Sequence, residues 1–235
     1  KEVGIFYIKE GSEIRFRPNG NKVSNEELIK SLLFTPMALI FLQRKLLVLH
    51  GSSICIRNRA YVFCGPSGSG KSTIVYELLK HGYKFISEDV SVLKNKKFNS
   101  YITPSFPIIK LDVGLSKSKK FIEKKIKNVK EDHRNRSLYT MNENLFQREE
   151  QKIKSCYLIM GYKDREVEPL KTDSNLFKNI YANIWRQVPH NSSIETEKLV
   201  LKEISNFINS VEFFGLWISK DPSISAKRVL DHIKI

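Results

Sequence analysis

The sequence predicts an α/β fold: a mixed sheet with flanking helices, preceded by an N-terminal hairpin. Three observations carry that expectation. A glycine-rich loop joins a strand-like run (Ala60–Cys64) to an amphipathic helical run beginning at Lys71. Short apolar runs bounded by turn residues recur between helical segments along most of the chain, as mixed α/β sheets require. The first twenty residues hold two apolar-rich runs around Glu10-Gly11-Ser12, closed by Pro18-Asn19-Gly20, the pattern of a hairpin.

The remaining elements come in order. Ser24 with Glu27 forms a capping box that opens an amphipathic segment over about 25–43. Within it, residues 32–42 are the longest apolar run; it is too short to span a bilayer, carries Pro36, and reads as a core helix. Residues 53–57 and 60–64 read as antiparallel strands joined by a tight turn at Asn58-Arg59. The helix from Lys71 to His81 places Ile74, Leu78 and Leu79 at helical spacing and ends at Gly82, a C-terminal cap. Residues 83–87 and 90–93 read as short strands, the second turning at 94–97, and Pro104 and Pro107 punctuate a loop that leads into a strand before Asp112. Residues 155–161 and 211–218 are further strand candidates. Helices are expected over 173–187, 194–209 and 223–234, the last with Asp221-Pro222 as its start. There is no internal repeat and no low-complexity linker.

A chain of 235 residues with 41% apolar side chains suits one good-sized domain, or a main domain with a small appendage, with a buried core, and argues against a disordered protein. The net charge of +15 favours anionic partners, such as a nucleotide, nucleic acid, an acidic peptide or an anionic surface; solvated basic faces would give the same excess. Cys55, Cys64 and Cys156 lack CxxC spacing, so neither a disulfide framework nor a zinc site is expected, and a reducing cytosol is the default compartment. Cys64 reads as a buried small thiol. No secretory signal is seen at the N-terminus.

The strongest motif is Gly65-Pro66-Ser67-Gly68-Ser69-Gly70-Lys71-Ser72, a full match to G-x-x-x-x-G-K-[ST] followed by Thr73. Its glycines allow successive backbone N–H groups to face phosphate oxygens, Lys71 would bridge the β- and γ-phosphates, and the Ser72 hydroxyl would ligate Mg²⁺. The helix that starts at Lys71 points its positive end at the same place. ATP and Mg²⁺ are therefore the expected ligands. The organisation reads as one catalytic unit over 1–235: a hairpin and helix (1–45), a nucleotide-binding core (46–112), then a basic loop, strands and helices (113–235).

Asp89 follows Ser72 by only 17 residues, room for one helix and one returning strand. That strand would deliver Glu88 and Asp89 beside the phosphates. Strand neighbours face opposite ways, so one acid would look toward the nucleotide while the other supports metal or packing; the competing reading makes both strand-end surface acids.

The stretch "LHGSSICIRNRAYVFCGPSGSGKSTIVYELLKHGYKFISEDV" resembles the catalytic core of the HPr kinase-like proteins, serine kinases of phosphoenolpyruvate-carboxykinase-like fold. The shared pattern is a His ahead of a hairpin, the phosphate loop, a helix ending in Gly, and a strand ending in paired acids. The resemblance extends more weakly through "TPSFPIIKLD" and "VEFFGLWISKDPSISAKRVLDHI". It implies Asp89 as catalytic base toward an acceptor hydroxyl, His50 as a residue orienting a phosphate or an acid, and Lys71 as the cation on the transferring group. Glu88 replaces the usual first Asp and is implied, with Ser72, as a metal ligand. The family's further acid, ahead of a Gly-rich strand, has no counterpart between residues 100 and 110; Asp112 is the nearest acid downstream. The similarity is greatest to small single-domain kinases that modify ribosomally made peptides, lasso peptide precursors among them, which implies a peptide or small-protein acceptor and a cytoplasmic protein. A regulatory ATP-binding protein and a small-metabolite kinase are the alternatives. For His50, a core histidine satisfied by backbone is the competing reading.

Residues 117–136 are densely basic and read as a mobile loop or an exposed helix. Arg134 and Arg136, and less so Lys127 and Lys130, are candidates for a cation facing the transition state; an acidic-peptide docking face or a solvated face would look the same. Aromatic residues do not interleave with these lysines, so nucleic acid is not an expected partner. His81, His133, His190 and His232 have no ligand spacing and receive no role.

Overall fold

The computed structural model describes residues 3–20, 23–112, 122–125, 136–184 and 194–234. Strands β1 (Gly4–Lys9) and β2 (Glu13–Pro18) form an antiparallel hairpin that turns at Glu10-Gly11. Both turn residues have positive φ, 52° and 64°, which is why glycine serves at the second position. Two residues pin the hairpin at its turn: the Gly11 N–H donates to Gln43 Oε1 at 2.7 Å, and Arg44 donates back to the Gly11 carbonyl.

The predicted segment 25–43 is two helices rather than one. Helix α1 (Asn25–Leu32) starts at the Ser24/Glu27 capping box and buries no residue fully, whereas α2 (Thr35–Gln43) buries Pro36, Ala38, Ile40 and Leu42. The break falls at Phe34 (φ −105°, ψ −101°), because Pro36 has no N–H to donate to a continuing helical ladder.

Strand β3 (Leu47–Ile56) is twice as long as the apolar run alone suggested, and pairs antiparallel with β4 (Arg59–Cys64). The tight turn lies at Arg57-Asn58, one residue earlier than expected, with φ of 48° and 58°; Ile56 pairs with Arg59 across it. Two consecutive left-handed residues match the twist of a two-residue hairpin, and Asn tolerates that region better than Arg does. After the glycine-rich loop comes α3 (Lys71–Leu79), shorter than predicted because a turn through Gly82 (φ 84°) ends it.

Next come β5 (Lys84–Ser87), β6 (Val90–Lys96), β7 (Asn99–Thr103) and β8 (Ile108–Asp112); β6 runs through most of the predicted turn, which sits instead at Lys97-Phe98. Of the basic segment, residues 122–125 form strand β9 and Arg136 opens β10 (Arg136–Met141). Lys127, Lys130, His133, Arg134 and His190 lie outside the described residues. The chain closes with β11 (Gln151–Tyr162), β12 (Glu168–Pro169), α4 (Ser174–Ala182), α5 (Ile194–Ser210), β13 (Glu212–Ile218) and α6 (Pro222–Ile233).

The central sheet is mixed, in the order β12-β13-β11-β4-β3-β6-β7, with β5 also paired to β3. Strand β11 runs parallel to β4 and β13; β3 is antiparallel to β4, β5 and β6. The first residues of β11 pair with β7, so β11, β4, β3, β6 and β7 close on themselves. One face packs Ile54, Phe63, Tyr157 and Leu216 under α3 and α6 and against the small sheet β8-β10-β9. The other packs Val62, Leu158 and Phe213 under α4 and α5. All three cysteines are buried thiols on this second side, and burial pushes the Cys156 thiol well up, so they serve as packing groups. Helix α2 covers Val48, Val90 and Val92 at the third packed cluster. No described helix is long and apolar enough to cross a membrane.

Candidate active site

The site lies where β4 meets α3. The loop Gly65–Gly70 leaves β4 at its C-terminal end and delivers Lys71 as the first helical residue, with Gly70 as the N-cap at φ 93°. Only glycine suits that position, because a Cβ there would also stand 3.2 Å from Ile218 Cδ1. Lys71 is nearly fully buried, and its Nζ donates to the carbonyls of Gly65 (2.8 Å) and Pro66 (3.0 Å); among the described residues it forms no salt bridge. Burial pulls its pKa down, partly countered by the charge of Asp89. The Ser69 hydroxyl is buried in the same loop without a hydrogen-bond partner among the described residues. A buried ammonium held by neutral carbonyls, beside an orphaned hydroxyl, is suited to an anion, which would supply the counter-charge and the missing partner.

The two acids are not on a strand. They form the link between β5 and β6, where the Val90 N–H donates to the Glu88 carbonyl at 2.6 Å and Asp89 adopts φ 58°. This three-residue turn is a strained form for a non-glycine residue. It also replaces the alternation expected of a strand: both carboxylates turn toward the loop and α3. Glu88 accepts a short hydrogen bond from the Ser72 hydroxyl and another from the Lys110 backbone N–H at 2.5 Å. Asp89 faces His50 Nε2 at 3.4 Å and Lys110 Nζ at 2.7 Å.

Their environments push the two acids apart. Burial, and then the neighbouring Asp89 charge, raise Glu88 to about 7, against the opposing pull of Lys110 and Ser72. Burial also works against ionisation of Asp89, but the hydrogen bonds and charges of His50 and Lys110 outweigh it and hold Asp89 well below the usual carboxylate range. As a tightly coupled pair, one proton is favoured on Glu88 and Asp89 stays ionised.

Register explains how His50 arrives. On β3 it pairs with Val90 of β6, which sets it directly opposite the acid turn. Its backbone N–H donates to the Asn183 carbonyl at 2.7 Å, while Asn183 Oδ1 accepts from the Gly65 N–H at 2.8 Å. Asn183, the C-cap of α4, thus ties β3 to the start of the loop.

Lys110, like Asn183, is a residue that sequence reasoning missed. Strand β8 alternates, with Ile109 and Leu111 in the core, so Ile108, Lys110 and Asp112 share the cleft face. A lysine at the middle of an otherwise apolar "IIKLD" strand was the available signal. Its Nζ also lies 4.2 Å from the Phe34 ring centroid, a cation–π contact at the α1–α2 break.

These groups line a cavity of about 210 Å³ that brings together His50, Lys71, Ser72, Thr73, Asp89 and Lys110. Ser67, Gly68 and Gly70 contribute the loop side, and Asp112 and Arg136, cross-strand partners on β8 and β10, the far wall. Tyr162 stands at the seam with a second, open cavity of about 420 Å³ bordered by Ile218 and Ile224. Of the unassigned histidines, His81 stacks on Tyr83 and His232 hydrogen-bonds the Tyr157 hydroxyl, both away from the cleft.

The two hard oxygens on Ser72 and Glu88 fit Mg²⁺, which takes few protein ligands and keeps phosphate oxygens and water for the rest. Among the described residues no group of three or more His, Cys, Asp or Glu side chains is placed to hold a metal ion.

No family model matches the chain, and no curated protein matches it. Among solved structures it is similar to the HPr(Ser) kinase/phosphatase from Coxiella burnetii, at 11% sequence identity and a TM-score of 0.44, over 80% of this chain and 96% of that chain.

Proposed function

We propose that this protein is an ATP- and Mg²⁺-dependent kinase that transfers the γ-phosphate to a serine hydroxyl of a peptide or small protein. The observation that carries the reading is the strained Glu88-Asp89 turn, which aims two carboxylates of opposite protonation preference at a lysine-bearing glycine loop. Catalytic sites are where such separation of neighbouring acids is found.

In this reading the backbone N–H groups of Gly68 and Gly70–Thr73, with the Lys71 ammonium, would hold the β- and γ-phosphates, while the Gly65 N–H stays with Asn183; the base and ribose would lie toward Tyr162. Ser72 and Glu88, the latter after giving up the proton it favours without metal, would hold Mg²⁺, which would supply charge neutralisation on the transferring phosphoryl group. Asp89 accepts the proton of the acceptor hydroxyl as its oxygen attacks the γ-phosphorus; the bond to the β–γ bridging oxygen breaks and ADP leaves. His50 positions Asp89. Lys110 keeps Asp89 neutralised until the triphosphate arrives, then turns to the γ-phosphate and frees the carboxylate to act as base.

Lys110→Met is expected to lower kcat by about 10²-fold while changing the KM for ATP far less, since the cation matters most when charge develops on the transferring group. Steady-state kinetics in both substrates check this; an equal loss in ATP affinity would make Lys110 a simple nucleotide contact. For the reading as a whole, titration with ATP, ADP and AMP, with and without Mg²⁺, is the first test. Tighter binding of ATP with Mg²⁺ is the expected result, and indifference to the γ-phosphate would count against it.

A further inference from the structure

Beside the acid turn, on the side away from the phosphate loop, lies a further cavity of about 170 Å³. Phe34, Phe41, Val90 and Ile108 line it, with the partly exposed Phe106 (39%) at its mouth. Its one charged wall is Glu88. A cavity of about 150 Å³ with such a lining holds one benzene ring, so the space matches one leucine- or phenylalanine-sized side chain.

The two cavities share scaffolding in a way that fixes their spacing. On the cleft face of β8, Ile108 lines the apolar cavity and Lys110, the next residue on that face, reaches Asp89 in the other. On β10, Leu138 and Arg136 divide in the same way. Successive same-face positions of a strand are about 7 Å apart. Phe34 closes the arrangement, since it walls the apolar cavity and carries Lys110 Nζ on its ring.

We infer that this apolar cavity is an acceptor subsite: it seats a single bulky apolar side chain of an extended peptide, two residues from the serine whose hydroxyl meets Asp89. The inference rests on the kinase reading and adds the substrate's chemistry to it. An extended peptide has the same two-residue pitch as β8, so a hydroxyl at Asp89 and a side chain in the cavity belong to positions i and i±2. Burial of that side chain supplies acceptor affinity that the polar nucleotide cleft does not.

Two measurements test it. The first is binding of N-acetyl-phenylalaninamide to the protein alone, followed by NMR. Binding to the wild-type chain that is lost in Ser105→Trp, a substitution that fills the cavity from its rim, supports the subsite. The Ser105 backbone N–H donates to the Ile86 carbonyl and is unaffected by the change. Phe106→Ala, which strips the mouth, gives an independent variant and is expected to weaken the same binding. No binding to wild type, whether because the chain fills the cavity itself or because the site is inert, or equal binding to all three proteins, overturns the inference.

The second is phosphotransfer to a set of glycine-rich peptides with one serine and a single phenylalanine moved from two positions before it to two positions after. A roughly 10- to 100-fold gain in kcat/KM for phenylalanine at one of the two outermost positions over the all-glycine peptide is expected, and Ser105→Trp brings that ratio near one. Transfer that ignores the phenylalanine overturns the subsite but not the kinase. Absence of transfer to every peptide, with the amide still bound, overturns the kinase reading and the acceptor assignment that depends on it.

Discussion

Asp89→Asn lowers phosphotransfer by about 10²- to 10⁴-fold, the usual weight of a positioned general base, while ATP still binds. Asparagine is the substitution to use, because it keeps the side chain's shape and is among the few residues that accept the left-handed backbone this turn requires, with Asp89 at φ 58°. Loss of a negative charge facing the triphosphate should hold or slightly raise ATP affinity. That separates the catalytic role from a structural one. If Asp89 served only as a structural partner of His50 and Lys110, its removal would leave the Lys110 ammonium uncompensated in a poorly solvated site and destabilise the acid turn, and ATP binding would fall along with transfer. Parallel titration with ATP and measurement of transfer by the same preparation distinguish the two. Full transfer by the variant, with ATP bound, would remove Asp89 from the base position.

Lys71→Met gives the opposite pairing of effects. Transfer falls by about 10²- to 10³-fold, comparable with the removal of one preorganised donor from a developing anion, and ATP affinity falls with it. Stability does not fall. Lys71 is buried against two neutral carbonyls, and methionine of similar volume removes the cost of desolvating an ammonium there. Thermal unfolding of the variant should therefore occur at or above the wild-type temperature in the absence of nucleotide, and ATP should raise it less. A variant that unfolds earlier and still binds ATP normally would mean that Lys71 is a structural residue.

The pieces of the site that were legible in the sequence are those carried by local chemistry. The loop Gly65–Ser72 depends on glycine freedom at fixed offsets and on the helix that follows, and both are readable from adjacent residues. The short return from Ser72 to Asp89 is a matter of chain length, so the nearness of the acids to the loop was readable too. The geometry of those acids was not. Alternation predicts opposite faces for Glu88 and Asp89; the link between β5 and β6 is too short for a strand to continue, and the tight turn swings both inward. Lys110 and Asn183 escaped because they reach the site through tertiary pairing, from a strand and a helix end distant in sequence. The α1–α2 break and the strand β10 escaped for local reasons. Pro36 was visible, but a continuous apolar period outweighed it, and β10 follows a basic run that masks its onset. The hairpin turn moved by one residue because Asn58 takes the second left-handed position rather than the first.

The most direct test of the central claim is transfer of labelled γ-phosphate from ATP to the serine-bearing peptides, measured with Mg²⁺ beside the binding of ATP itself. The account predicts label on a serine hydroxyl with wild-type protein, and incorporation slower by about 10²- to 10⁴-fold with Asp89→Asn at equal ATP occupancy. ATP bound by the wild-type chain with label remaining on nucleotide or passing only to water would contradict it.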